Sequence, residues 1–263
     1  MPKLAANLTM LFNEVEFLDR FAAAARCGFK GVEFLFPYAW PAERIAEKLH
    51  GSGLTQVLFN MPPGAWDKGE RGLACLPDRV GEFRENVGRA IEYAGVLGCR
   101  QLHAMAGLRP AGVAEEKLRE TYVENLRFAA AETAKAGIRL LIEAINTRDI
   151  PGFYLNTSRQ AFAIIDEVGS DNLFFQYDIY HMQIVEGDLA RTIEANLPRI
   201  PHMQLADNPG RNEPGTGEIN YPFLLDFIDR IGYAGWIGCE YRPKAGTEAG
   251  LGWAARYLHK AAG

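Results

Sequence analysis

The feature that most constrains this chain is a regular alternation. Short, unbroken apolar runs are separated by longer amphipathic stretches, and the pattern persists along the whole sequence. The runs fall at residues 4–9, 31–36, 56–61, 100–106, 138–146, 173–180, 202–207 and 236–241. They are continuous rather than alternating in polarity, as expected of parallel strands covered on both faces. Between them, residues 14–26, 41–49, 82–97, 115–136, 159–168, 189–196, 222–231 and 248–259 carry apolar side chains at helical spacing. Glycine follows several of these stretches, at Gly28, Gly98, Gly137 and Gly232, where a left-handed residue closes a helix. About eight strand–helix units in 263 residues match a closed barrel, which needs roughly 250. The first strand carries no Gly-x-Gly-x-x-Gly, so a dinucleotide-binding sheet is unsupported. The expectation is an α/β chain folded as a single (β/α)₈ TIM barrel, one catalytic domain over residues 1–263.

Charge and cysteine content narrow the function classes. A formal net charge of −5 argues against nucleic acid as a partner, because a duplex attracts a basic surface. The four cysteines, Cys27, Cys75, Cys99 and Cys239, form no Cys-x-x-Cys pair, so free thiols are expected rather than a structural zinc site. No apolar run approaches the roughly 18–20 residues of a membrane span. These readings predict a cytoplasmic protein, neither membrane-bound nor bound to nucleic acid, acting on a small molecule and free to form an oligomer.

In a barrel of this kind the C-terminal strand ends share one rim, and the site lies there. The fifth run ends near Glu143, the sixth in Asp178 and then His181, the seventh carries Gln204 and then Asp207, and the eighth Glu240. Each has a structural alternative. Glu143 could pair with an arginine of a neighbouring strand, Glu240 with Arg242, Asp178 could cap a helix, and Gln204 could be a satisfied core amide. His202 shares a strand face with Gln204 and fits support or site equally. His50 and His259 read as helix-surface residues. Taken together, three carboxylates in apolar surroundings are costly without a cation, and oxygen ligands suit magnesium or manganese. Residues 62–78, glycine-bearing and without periodicity, read as a lid or substrate loop.

The segments AANLTMLF, GFKGVEFLFPY, GERGLACLP, IEAINTRDIPGF, QYDIYHMQ, HMQLADNPGRNEPGTGEINY and WIGCEYRPK followed by TEAGLGW resemble the hydroxypyruvate isomerase family, within the xylose-isomerase-like barrel superfamily. The resemblance spans nearly the whole chain. It implies one divalent metal ion, Mg2+ or Mn2+, on Glu143, Asp178, Gln204 and Glu240, with Glu143 and Glu240 as the acid–base pair. Related sugar epimerases usually have a histidine at the position of Gln204. A sister group that isomerises four-carbon 2-oxo-tetronates shares several segments; GERGLACLP, IEAIN with DIPGF, and YDIYHMQ look more like the hydroxypyruvate group.

The reaction so implied interconverts hydroxypyruvate and tartronate semialdehyde through a cis-enediolate. The substrate carboxylate calls for an arginine, and Arg71 and Arg211 are the candidates. His181 and Asn7 are candidates to hydrogen-bond the substrate's other oxygens, and Glu213 to orient Arg211. The rival readings are 2-oxo-tetronate isomerisation or another small sugar isomerase or epimerase, a multi-zinc apurinic endonuclease, and a non-catalytic binding protein. Five scattered histidines and the acidic balance speak against the endonuclease.

Overall fold

A computed structural model describes residues 1–258. Eight parallel strands close into a barrel in sequence order. They are β1 Lys3–Asn7, β2 Gly31–Phe34, β3 Thr55–Asn60, β4 Gln101–His103, β5 Arg139–Glu143, β6 Leu173–Asp178, β7 His202–Leu205 and β8 Trp236–Cys239. Each lies inside or beside one of the apolar runs. The runs extend further at their C-terminal ends because the chain there leaves the ladder to form rim loops.

The helices are α1 Arg20–Arg26, α2 Ala42–Gly51, α3 Val80–Leu97, α4 Glu115–Lys135, α5 Ser158–Val168, α6 Ile179–Val185, α7 Leu189–Asn196 and α8 Tyr221–Arg230. α5 shows why such segments dock on the sheet. Thr157 caps it, its side-chain oxygen accepting from the Gln160 N–H at 3.0 Å, and Ala161, Ile164, Ile165 and Val168 form its buried stripe. Gly169 ends it at a left-handed φ of 66°.

Three expectations need correction. The stretch 14–26 begins as a 3₁₀ turn at Phe17–Asp19, and α1 starts only at Arg20; no side chain caps either start. α6 begins within the apolar run 173–180, at Ile179, and continues past it to Val185, because Asp178 stops the strand and caps the helix that follows. In the stretch 248–259, the described residues hold a 3₁₀ helix, Ala249–Ala254, where Gly250 and Gly252 weaken an α-helix. His259 lies outside the described residues. His50 is exposed on α2, and all four cysteines are free. No helix of the described residues is long and apolar enough to cross a membrane.

Candidate active site

Alternation along each strand sends every second side chain into the barrel. At the C-terminal rim this places one polar residue from each strand inside: Asn7, Glu33, Asn60, His103, Glu143, Asp178, Gln204 and, one residue past β8, Glu240. All eight are buried. The parallel register sets Asn7 opposite Glu33, Asn60 opposite His103 and Asp178 opposite Gln204. It steps between these pairs, with Glu33 opposite Leu58 and Glu143 opposite Gln176.

Glu240 is held on both oxygens. Oε1 accepts from Arg211 Nη2 at 2.7 Å, and Oε2 accepts from Asn7 Nδ2 at 3.0 Å and from the Gln204 amide. Asp178 divides its work. Oδ1 accepts from the Tyr180 and His181 N–H groups at 2.8 and 3.4 Å, capping α6, while Oδ2 lies 3.5 Å from His181 Nε2 and 3.9 Å from Arg211 Nη2. The capping reading of Asp178 is therefore met by Oδ1, while Oδ2 is left facing the His181 and Arg211 side chains. Glu143 pairs with no arginine; its neighbours are His103 Nδ1 at 3.6 Å and His181 Nε2 at 3.8 Å.

Burial dominates the acid–base properties. It raises the Glu143 carboxyl well above the usual range, helped by the charges of Asp178 and Glu240. It pushes Glu240 up to about 8, with Arg211 opposing and Asp178 reinforcing the rise. Asp178 is pushed up to about 6, with Arg211 and the α6 N–H groups opposing. Burial also depresses His103 to about 3 and His181 well below its usual value, so both imidazoles are neutral. The carboxylates are thus crowded and under-neutralised, a state that a cation relieves.

A model of the xylose isomerase-like TIM barrel family matches residues 21–257. The chain belongs to that family. It is 55% identical to a 2-oxo-tetronate isomerase of Cupriavidus necator, over 98% of this chain and 99% of that protein. It is 51% identical to a hydroxypyruvate isomerase of Escherichia coli, over 98% and 100%. A crystal structure from Brucella melitensis, described as an AP endonuclease of family 2, superposes with a TM-score of 0.96 at 49% identity, covering 98% of this chain and 100% of that one. A 3-keto-D-glucoside 4-epimerase of E. coli shares the fold alone, at 19% identity and a TM-score of 0.81.

Within this family barrel, the residues singled out from sequence meet unequally. Glu143, Asp178, Gln204, Glu240, Asn7, His181 and Arg211 gather at the rim centre. Arg71 does not join them: its guanidinium stacks on Trp66, 3.9 Å from the ring centre, and Nη1 donates to the Trp66 and Glu70 carbonyls. That loop is tied to itself, and Gly72 (φ 111°) lies so close to Met105 that a side chain would collide. Glu213 does not orient Arg211 either; its Oε2 accepts from the Lys244 N–H at 3.1 Å. Arg211 is held by Asp149, Nη1 to Oδ2 at 3.1 Å, and by Glu240, which consequently does not depend on Arg242. Asp207 organises the loop that carries Arg211, accepting from the Gly215, Thr216, Gly217 and Ile219 N–H groups.

Sequence reading missed Glu33, Asn60 and His103. Glu33 Oε1 accepts from Asn7 Nδ2 at 3.0 Å and Gln204 Nε2 at 2.8 Å, while its Oε2 lies 2.7 Å from His202 Nε2. Gly238 leaves room for this carboxylate; a methyl group there would strike it. His202 is therefore a support beneath the rim. His103 Nδ1 meets Asn60 Oδ1 at 3.1 Å. The signal was available in all three cases, a polar residue flanked by apolar neighbours within an apolar run: Val32-Glu33-Phe34, Phe59-Asn60-Met61 and Leu102-His103-Ala104.

Proposed function

We propose that this protein is a metal-dependent isomerase of short 2-oxo acids that interconverts hydroxypyruvate and tartronate semialdehyde. The observation that carries the reading is the cluster of Glu143 and Asp178 from β5 and β6 and Glu240 from just past β8, three buried carboxylates with Arg211 as their neighbouring cation. The names of the 51–55% identical relatives support the same chemistry. The C. necator relative also favours a second reading, a 2-oxo-tetronate substrate on the same site.

The donor set fits magnesium or manganese, since the carboxylates offer hard oxygens. Glu143, Asp178, Gln204 and Glu240 would hold the ion. Gln204 here turns its amide N–H toward Glu33 and Glu240, while its oxygen accepts from Gln176 Nε2 at 2.6 Å. Gln176 Oε1 has no hydrogen-bond partner among the described residues. Turning both amides lets that oxygen accept from Gln204, so Gln204 can present its own oxygen to a cation without losing the pair. When bound, the ion supplies Lewis-acid polarisation of the substrate's oxygens.

The chain's own residues move the protons. One glutamate removes a proton from C3 of hydroxypyruvate, and the electron pair forms the cis-enediolate. Reprotonation at C2, with transfer of the hydroxyl proton from the C3 oxygen to the C2 oxygen, gives the aldehyde. Glu143, which pairs with no arginine among the described residues, is suited to the carbon proton; Glu240, bonded to Arg211, flanks the other side. Arg211 binds the substrate carboxylate, and His181 and Asn7 address its other oxygens. The acidic net charge disfavours DNA as the substrate. The test is an assay of the purified protein on hydroxypyruvate and 2-oxo-tetronates, with and without Mg2+ or Mn2+. Metal-dependent turnover of one of these acids is expected; no turnover of either with metal present would overturn the proposal.

A further inference from the structure

Asn146 stands three residues beyond Glu143 and is fully buried. Its side-chain oxygen accepts from the Arg148 and Asp149 backbone N–H groups at 2.9 and 2.8 Å, closing the first turn of the loop after β5. An oxygen engaged in this way leaves only the amide nitrogen to face His181, and Nδ2 lies 2.7 Å from His181 Nδ1. An amide nitrogen has only hydrogens to offer, so Nδ1 must present its lone pair. In a neutral imidazole the proton then sits on Nε2, the atom that faces Asp178 and Glu143 at 3.5 and 3.8 Å. Turning the amide over would strip two loop N–H groups of their acceptor.

We infer that Asn146 is a positioning residue that locks His181 as the Nε2–H tautomer. The lock makes His181 a hydrogen-bond donor to the substrate's oxygens and keeps it out of the metal's ligand set. The catalytic part of the inference rests on the isomerase reading above. Position alone would allow the opposite outcome, because ligand atoms of Glu143, Asp178 and His181 all lie within 4.8 Å of one another. An imidazole nitrogen in that set would favour zinc or another transition metal. A protonated Nε2 has no lone pair to give, so the set remains all oxygen. The same turn places Asp149, whose Oδ2 accepts from Arg211 Nη1 at 3.1 Å and whose Oδ1 accepts from the Tyr180 hydroxyl at 3.3 Å. One loop therefore aims both the imidazole and the guanidinium at the substrate space.

The test is Asn146→Asp, read by nitrogen-15 NMR of labelled histidine at one fixed pH, with and without Mg2+, and by steady-state kinetics. An aspartate still accepts from both loop N–H groups but offers His181 an oxygen, which calls a proton onto Nδ1. The wild type should show His181 with bare Nδ1 and protonated Nε2, in both the metal-free and the Mg2+-loaded protein. The variant should show a protonated Nδ1 and a kcat about 10²-fold lower or more, the scale of a mis-set acid–base partner. A wild-type spectrum with the proton on Nδ1, or loss of the Nε2 proton on adding Mg2+, overturns the lock even if the variant does not fold. Unchanged kcat in a folded variant with the tautomer reversed overturns its catalytic role. A wild type with the expected tautomer but no turnover of either acid defeats the isomerase reading and leaves the tautomer lock standing.

Discussion

Along β5 the inward side chains run Arg139, Leu141, Glu143; along β1 they run Lys3, Ala5, Asn7; along β8, Trp236, Gly238 and then Glu240. The same strands thus build two unlike barrel mouths. At the N-terminal mouth, Lys3 lies over Trp236 at 5.3 Å and Arg139 over Phe174 at 5.7 Å. Beneath them Ala5, Val57, Leu58 and Leu141 form a small apolar cluster. At the C-terminal rim the interior is lined by carboxylates, amides and imidazoles. Basic chains at the N-terminal mouth reach water and need no buried partner. The rim's acids are buried and need one. The N-terminal mouth also buries the amides of Gln56 and Gln101, which donate to the Leu58 and Val57 carbonyls. But the three buried carboxylates Glu143, Asp178 and Glu240 stand at the C-terminal rim, and that charge marks the rim as the working end.

The largest test of that contrast sets charge removal at the rim against cavity formation in the middle. Glu143→Gln and Glu240→Gln should each lower turnover by about 10²-fold or more, measured at saturating Mg2+ or Mn2+ per folded molecule, while the metal-free protein keeps or gains thermal stability. Leu141→Ala should instead cost about 2–5 kcal/mol in denaturant unfolding and leave turnover per folded molecule nearly intact. Retention of more than roughly a tenth of turnover by both glutamine variants would break the two-carboxylate mechanism.

Arginine position sharpens the comparison. Arg211→Met should raise KM by about tenfold to a hundredfold, the scale of a lost charged hydrogen bond. Arg71→Met, whose contacts lie within its own loop, should leave KM unchanged. Equal effects in the two variants would remove the assignment of the substrate carboxylate to Arg211.

A pH series separates the two mouths by titration. Folding raises the pKa of Asp178 from 3.8 to about 6 and of Glu240 from 4.5 to about 8. Between these limits the folded state holds more protons than the unfolded one, so stability declines as pH rises. Chelator-treated protein should lose melting temperature from about pH 4 to pH 8 through these groups, and Mg2+ should flatten the slope. The smallest effect belongs to the N-terminal mouth. Arg139→Met should cost less than about 1 kcal/mol, the worth of an exposed cation–π contact, with kcat, KM and the pH slope unaltered. A change in turnover would show that the two ends are coupled.

Periodicity and local chemistry alone carried the barrel and four of the eight rim residues, Glu143, Asp178, Gln204 and Glu240, while Asn7 entered only with the substrate that the family resemblance implied. They are legible because a lone polar side chain in an apolar run is conspicuous within a few residues of sequence. Glu33, Asn60 and His103 carried the same mark and were passed over. Their partners, Asn7, Gln204 and Glu143, are brought against them only when the barrel closes. The choice between Arg71 and Arg211 could not be read at all. Both are arginines in rim loops, and the difference is that Trp66 stacks on one, while Asp207 and Asp149 hold the other against Glu240. Sequence determines which side chains a strand presents, because alternation is local; tertiary structure decides which of them share a charge, because that depends on distances set by strands far apart in the chain.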